Sequence, residues 1–248
     1  MSGARTRGES AYLSASVPAP STPWREAAYS VVDLELTGVD SSVHEIVSYA
    51  TVTVAGGRIR LDDARYRVVR PSRMPDADTT RIHGLRESDL AGAPPLEQVL
   101  DDLLEALTGR VLVAHAAAIE EAFLRTVLET HGLTLRNPVV DTAGLALELR
   151  RLRRQPPLRP PRAESSGIAV SSPGLSEVAR SLGLPVHRPH HADGDALTAA
   201  QAFIALATHL DRLQPQTVGS LQRLSAPKRE RVTLRSGLGR LRRRLVSR

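Results

Sequence analysis

The chain contains no cysteine. Disulfides and thiolate metal sites are therefore excluded, and a cytoplasmic location is the expectation that fits. Aromatic residues make up only 3% of the sequence, with one Trp, four Tyr and two Phe. The 41% of hydrophobic residues must build a core mainly from Leu, Val, Ile and Ala, and little aromatic material is left for a base-stacking platform. No stretch approaches the ~18 apolar residues that cross a bilayer, so no membrane association is expected. The opening segment MSGARTRGESAYLSASVPAPSTPWRE lacks the apolar centre of a targeting signal. Its Ser, Ala, Pro and charge predict a disordered leader over residues 1–26.

Lysine is nearly absent as well, and arginine carries the positive charge. From Lys228 to Arg248 nine basic residues face one acid, Glu230, so the net charge of +6 resides there and the remainder is slightly acidic. Arg150, Arg151, Arg153, Arg154, Arg159 and Arg162 form a second basic cluster. Blocks of this kind either attract polyanions, such as nucleic acid or acidic lipid, or form a solvated face with no specific partner.

The 248 residues suffice for one domain of about 150–200 residues with tails. Ordered patterning starts near Ala28. Tyr29 to Leu36 reads as a strand, and Ile46–Val54 and Arg58–Val69 as two more, joined at the hairpin signal Gly56-Gly57. Residues 71–95 read mostly as loop. Leu96, Val99, Leu100, Leu103, Leu104 and Leu107 recur at helical spacing. A short strand at 111–114, a helix at 118–130, a strand at 138–140 and a helix at 142–152 follow. Helices at 175–182 and 192–210 complete the pattern. The expected organisation is a domain over 27–211, interrupted by a mobile Pro/Arg-rich insertion at 155–172, and a basic tail over 212–248. Three strands followed by alternating helix and strand predict an α/β fold: a mixed sheet with helices packed on it.

Asp33 and Glu35 are two apart in one strand and therefore share a face. Like charges in a partly buried place need a cation or a shared proton, and hard oxygen ligands favour Mg²⁺ or Mn²⁺. The alternative is a solvated strand edge. A second cluster, His190-His191-Ala192-Asp193-Gly194-Asp195, sits at a helix start. There a carboxylate favours the positive dipole end, whether or not it does chemistry.

Taken in order, these segments resemble the histidine subtype (DEDDh) of the DEDD 3′–5′ exonucleases, which includes the proofreading subunit of bacterial replicative polymerases. The resemblance rests on Val31-Val32-Asp33-Leu34-Glu35-Leu36-Thr37-Gly38, Arg81-Ile82-His83-Gly84-Leu85, Val113-Ala114-His115-Ala116-Ala117-Ala118-Ile119-Glu120, Val140-Asp141-Thr142, and His190-x-Ala192-x-x-Asp195-Ala196. It spans about residues 28–210. Each motif alone is weak, but together, in order, they are specific. The second motif departs from the family: its aspartate is replaced by Glu120, its asparagine by Ala116 and its phenylalanine by Ile119. Glu121 is adjacent but about 100° round the helix.

The resemblance implies an RNase H-like mixed five-stranded sheet, antiparallel in its first three strands and parallel thereafter, with helices on both faces. It also implies two divalent cations, Mg²⁺ or Mn²⁺, held by Asp33, Glu35, Glu120 and Asp195, roughly 3.5–4 Å apart. His190, five residues before Asp195, is the implied general base, a role that suits an imidazole near neutral pH. Leu36 and Thr37 are implied contacts to the terminal nucleotide through their backbone. His83 either lines the substrate cleft or packs a turn. His115 and Asp141 read as structural, Asp141 as a helix cap. The implied partners are DNA or RNA 3′ ends and a DNA polymerase or other repair or replication protein. The competing reading is a nucleic-acid-binding or polymerase-associated module whose exonuclease site is weakened, motivated by the altered second motif and the Arg-rich segments.

Overall fold

The computed structural model describes residues 4–156, 158 and 172–226. Five strands form one sheet: β1 (Ala28–Leu36), β2 (Ile46–Ala55), β3 (Arg58–Val68), β4 (Val111–Ala114) and β5 (Val139–Asp141), in the order β3-β2-β1-β4-β5. β1 pairs antiparallel with β2, and β2 antiparallel with β3, while β4 runs parallel to β1 and β5 parallel to β4. This is the α/β mixed sheet expected, with β1 at its centre.

The centre position explains why β1 is apolar on both faces. Tyr29 and Val31 point into one core, shared with α6 (Thr142–Leu152), α8 (Ala192–Leu213) and α9 (Val218–Ser225). Val32 and Leu34 point into the other, shared with α4 (Leu96–Leu107) and α5 (Ala118–Thr130). Helices therefore cover both faces. α8 is the long helix across the first face. Ala196, Ala199, Ala200 and Ala207 are buried on it, and small side chains allow close approach to the strands. Phe203 stacks edge-on to Trp24 at 6.1 Å and lies 4.6 Å from the Tyr29 ring. Phe203 is eight residues past Asp195, about 12 Å along the helix. Asp33 is four residues past Tyr29, about 13 Å along the strand. With Phe203 on Tyr29, the start of α8 thus reaches the carboxyl end of β1.

Three expectations need correction. The segment 4–26 is ordered. Thr6 caps α1 (Arg7–Ser14) in a reciprocal capping box with Glu9, Tyr12 is buried and its hydroxyl donates to Asn137 Oδ1 at 2.7 Å, and Trp24 is buried in the core. A composition rich in Ser, Ala and Pro hid two aromatic anchors, which is enough to tie a short segment down.

The domain likewise does not stop at residue 211. Thr217 caps α9, whose Val218 and Leu221 are buried. The two flanks meet: Trp24 N–H donates to the Gln216 carbonyl and Val218 N–H to that of Thr22. Described residues on both flanks of the expected domain, Thr6 to Trp24 and Gln216 to Leu221, are therefore packed into the same fold. Finally, the 71–95 segment contains two short helices, α2 (Ala77–His83) and α3 (Glu87–Ala91). Asp76 caps α2 by accepting from Thr79 N–H at 2.8 Å, and Gly84 ends it in the left-handed conformation at φ 73°. α7 (Leu175–Ser181) completes the elements.

The expected insertion, apart from residues 155, 156, 158 and 172, and the basic tail beyond 226 lie outside the described residues. Among the described residues no helix is long and apolar enough to cross a membrane.

Candidate active site

The period of a strand puts Asp33 and Glu35 on the same side as Tyr29 and Val31, the side that α8 covers. α8 begins just beyond that strand end and brings Asp195 in from its first turn. Asp33, Glu35 and Asp195 each offer a carboxylate oxygen within 4.8 Å of the others. They form the one such group of potential metal ligands among the described residues. Residues 160 positions apart thus meet outside the carboxyl end of the central strand, where open α/β sheets place their ligands.

Glu120 stands outside that group of three but faces it. It lies in the first turn of α5, beyond the end of β4, the parallel neighbour of β1. Its side chain is buried and Oε2 has no hydrogen-bond partner. Glu121 points elsewhere and pairs with Arg125 at 2.6 Å. Of the two adjacent acids, Glu120 is therefore the one directed inward.

The electrostatics agree. Burial pushes the Asp33 carboxyl well above the usual range, and the charges of Glu120, Glu35 and Asp195 push it further. Burial and then Asp195 raise Glu35 to about 8. Burial raises Glu120 to about 8, against a hydrogen bond from its own backbone, with Asp141 and Glu35 adding to the rise. Asp195 is raised by burial, countered by the His190 N–H and by the His190 and His191 side chains. Four carboxyl groups that resist ionising together form a site that favours cations.

His190 occupies an exposed turn at φ 62°, and its backbone N–H donates to Asp195 Oδ2 at 2.9 Å. The turn lies across the start of α8, and Gly194 makes this possible. A β-carbon there would sit 2.4 Å from the His187 carbonyl oxygen and 2.7 Å from that of Arg188. Arg188 also pairs with Asp193 at 2.8 Å. His191 is the residue preceding α8, and its charge lowers the affinity of His83 for a proton, after the larger effect of burial. His83 is buried, and its Nδ1 accepts the Leu85 N–H at 3.0 Å, which fixes the turn after α2.

Leu36 ends β1 at an irregularity in register with β2, and Thr37 is buried just beyond it. His115 and Asp141 are tied into the scaffold. His115 contacts Thr142 Oγ1 at 2.9 Å and the Pro173 carbonyl at 2.8 Å, while Asp141 accepts from the N–H groups of Ala116 and Ala143. Two residues that the motifs do not single out are Gly194 and His44, which packs on the turn after β1. Both act through close tertiary approach, for which a single sequence carries no signal.

Comparison with known proteins agrees with this geometry. The RNase_T family model, described as Exonuclease, matches residues 30–203. The DNA polymerase III PolC-type protein of Thermotoga maritima is 29% identical over 200 residues, covering 80% of this chain and 13% of that protein. A DNA polymerase III subunit epsilon-like protein of Rhodobacter capsulatus is 30% identical over 203 residues, covering 81% of this chain and 26% of that protein. The chain thus spans only a small part of these relatives' length. Among solved structures, Exonuclease X in complex with 5′ overhanging duplex DNA has a TM-score of 0.55 at 20% identity, with 80% of this chain and 99% of that one covered. E. coli Exonuclease I in complex with a dT13 oligonucleotide has a TM-score of 0.63 at 12% identity, with 75% and 42% covered; at such identities these two likenesses show the fold alone. With the family model matched from β1 to α8, across the carboxylate cluster, the chain belongs to the RNase_T exonuclease family.

Proposed function

We propose that this domain is a metal-dependent 3′–5′ exonuclease that hydrolyses phosphodiester bonds at nucleic-acid 3′ ends and releases 5′-mononucleotides. The observation that carries this reading is the convergence of Asp33, Glu35 and Asp195 within 4.8 Å of one another. The residues present fit a metal centre. They offer hard oxygen donors only, and the buried Glu120 Oε2 has no protein partner. Asp33, Glu35, Glu120 and Asp195 would hold two divalent cations, Mg²⁺ or Mn²⁺, which when bound supply charge neutralisation and polarise the phosphodiester.

The chain's own residues do the rest. His190, in its exposed turn beside Asp195, takes a proton from the attacking water at an imidazole nitrogen. The water oxygen bonds to the phosphorus of the terminal nucleotide as the bond to the penultimate 3′ oxygen breaks. That oxygen takes a proton from solvent and becomes the new 3′ hydroxyl. Asp195 holds the His190 turn through the His190 N–H. The turn at Leu36 and Thr37 orients the terminal nucleotide, the Thr37 N–H itself being held by the Glu45 carbonyl, with His83 behind the cleft. In this reading the domain works on DNA or RNA ends in the cytoplasm. Its associates would be a DNA polymerase or another replication or repair protein, the class to which the PolC-type and epsilon-like relatives belong.

The test uses end-labelled single-stranded DNA, single-stranded RNA and a mismatched duplex, each with Mg²⁺, Mn²⁺ or chelator. Metal-dependent release of mononucleotides from the 3′ end is expected, and Asp33→Asn should reduce it by more than about a hundredfold. Absence of metal-dependent release from all three substrates would refute the assignment.

A further inference from the structure

The turn that follows β1 is held from behind by a residue outside the family motifs. Thr37 Oγ1 lies 3.2 Å from His44 Nδ1 and accepts the Glu45 N–H at 3.0 Å. The Thr37 N–H donates to the Glu45 carbonyl at 2.9 Å. The hydroxyl and the N–H of Thr37 are thus both tied to the 44–45 segment. The imidazole of His44 also occupies the space beside Gly38, where an added β-carbon would lie 2.5 Å from Cε1 and 2.6 Å from each ring nitrogen. No left-handed conformation requires glycine at position 38. Close approach of the ring does.

The segment that presents the ring is itself fixed. Asp40 Oδ1 accepts from Ser42 N–H at 3.0 Å and Ser42 Oγ at 2.7 Å, and the Asp40 carbonyl accepts from the N–H of His44. The Glu45 carboxylate reaches across to the backbone and hydroxyl of Ser72. An internal hydrogen bond and a packed ring therefore set where the backbone of residues 36–38 lies, immediately after Glu35.

We infer that His44 is a positioning residue for the substrate-binding turn, fixing Thr37 by hydrogen bonding and Gly38 by contact, so that the turn meets the terminal nucleotide of a 3′ end. This rests on the proposed exonuclease reading. It requires that the ring and Gly38 act as a unit. A methyl at position 38 must displace the ring, and the cavity bordered by His44, Ile46, Phe123 and Val127 gives the ring room to move. Moving there breaks the bond to Thr37.

The test is a double-substitution cycle on the full chain, using a single-stranded oligonucleotide with Mg²⁺ and measuring kcat and KM, with melting temperature as the folding control. His44→Ala should raise KM about tenfold with kcat changed less than about threefold. His44→Asn keeps an amide group near the position of Nδ1 and should recover part of the loss. Gly38→Ala should be harmful in the natural background and nearly silent in His44→Ala, because the ring it displaces is already gone. Natural protein that turns over while His44→Ala matches it in KM would overturn the role of His44 and leave the exonuclease reading standing. Additive effects of the two substitutions would also overturn it. Natural protein that releases no mononucleotide would overturn both.

Discussion

Replacing Glu120 by Gln offers a direct measure of the strain in the carboxylate cluster. Glu120 is 9% exposed, and its folded-state pKa of about 8 lies above the ordinary value of 4.5. Folding therefore favours its protonated form. Below pH 4.5 the group is neutral in both states and imposes no charge penalty. As pH rises from 4.5 to about 8 the unfolded chain ionises first, and the folded state loses ground until the penalty is complete above the folded value. A rise from 4.5 to about 8, at 1.36 kcal/mol per tenfold change in proton affinity, corresponds to roughly 5 kcal/mol. Gln keeps the shape, removes the charge, and relieves Asp33, whose carboxyl is raised by Glu120.

In chelator, the stability of Glu120→Gln relative to the natural protein should rise by about 3–5 kcal/mol between pH 5 and pH 9. For a chain of this size that is roughly 10 °C in melting temperature. The comparison cancels groups that titrate identically in both proteins. Saturating Mg²⁺ should reverse the ranking at pH 9 if Glu120 serves as the proposed ligand, because a cation that binds the folded state stabilises it and the variant would lack one of the proposed ligands. Chemical denaturation at both pH values, in chelator and in Mg²⁺, gives all four numbers. Parallel pH profiles in chelator would show that Glu120 is not buried against its neighbours, and the inward direction assigned to it would be wrong.

Two further substitutions test other parts of the fold. Gly194→Ala gains helix propensity of about 1 kcal/mol, but its methyl would lie 2.4 Å and 2.7 Å from two backbone oxygens. Overpacking should win, with a net loss of about 1–3 kcal/mol by melting and reduced turnover, because the His190 turn must lift; an unchanged kcat would show that the turn's position does not matter. Trp24→Ala should cost about 3–5 kcal/mol by denaturant unfolding, since the ring is fully buried against Phe203; an unchanged midpoint would mean that the segment before β1 does not belong to the folded unit.

What the sequence makes legible follows from order and spacing. Asp33 and Glu35 on one face of an apolar strand, and Asp195 at a distant helix start, each have an ordinary alternative, a solvated strand edge or a dipole-favoured helix acid; it is the order and spacing of the motifs around them that make the three stand out in the sequence. The same motifs also disclose the sheet. What stays hidden leaves little trace in sequence. α2 and α3 have seven and five residues, too few for helical periodicity, and announce themselves only through Asp76, Gly84 and the Arg86–Asp89 contact. The segment before β1 is held by Tyr12 and Trp24, two residues among many Ser and Pro. Whether Glu120 or Glu121 enters the site depends on where α5 begins.

The altered second motif becomes interpretable only with backbone angles in hand. Ala116 has φ 56°, a left-handed conformation that Asn adopts more readily than Ala. The asparagine usual at this position therefore has a conformational reason that the change to Ala leaves unmet. The turn is retained because the Ala116 N–H donates to Asp141 at 2.9 Å and the flanking His115 is anchored to Thr142 and Pro173. The same scaffold that tolerates Ala116 aims the first turn of α5, and with it Glu120, at Asp33. The substitutions at 116 and 120 thus bear on one local geometry, the descent from β4 into α5, and their consequences belong together.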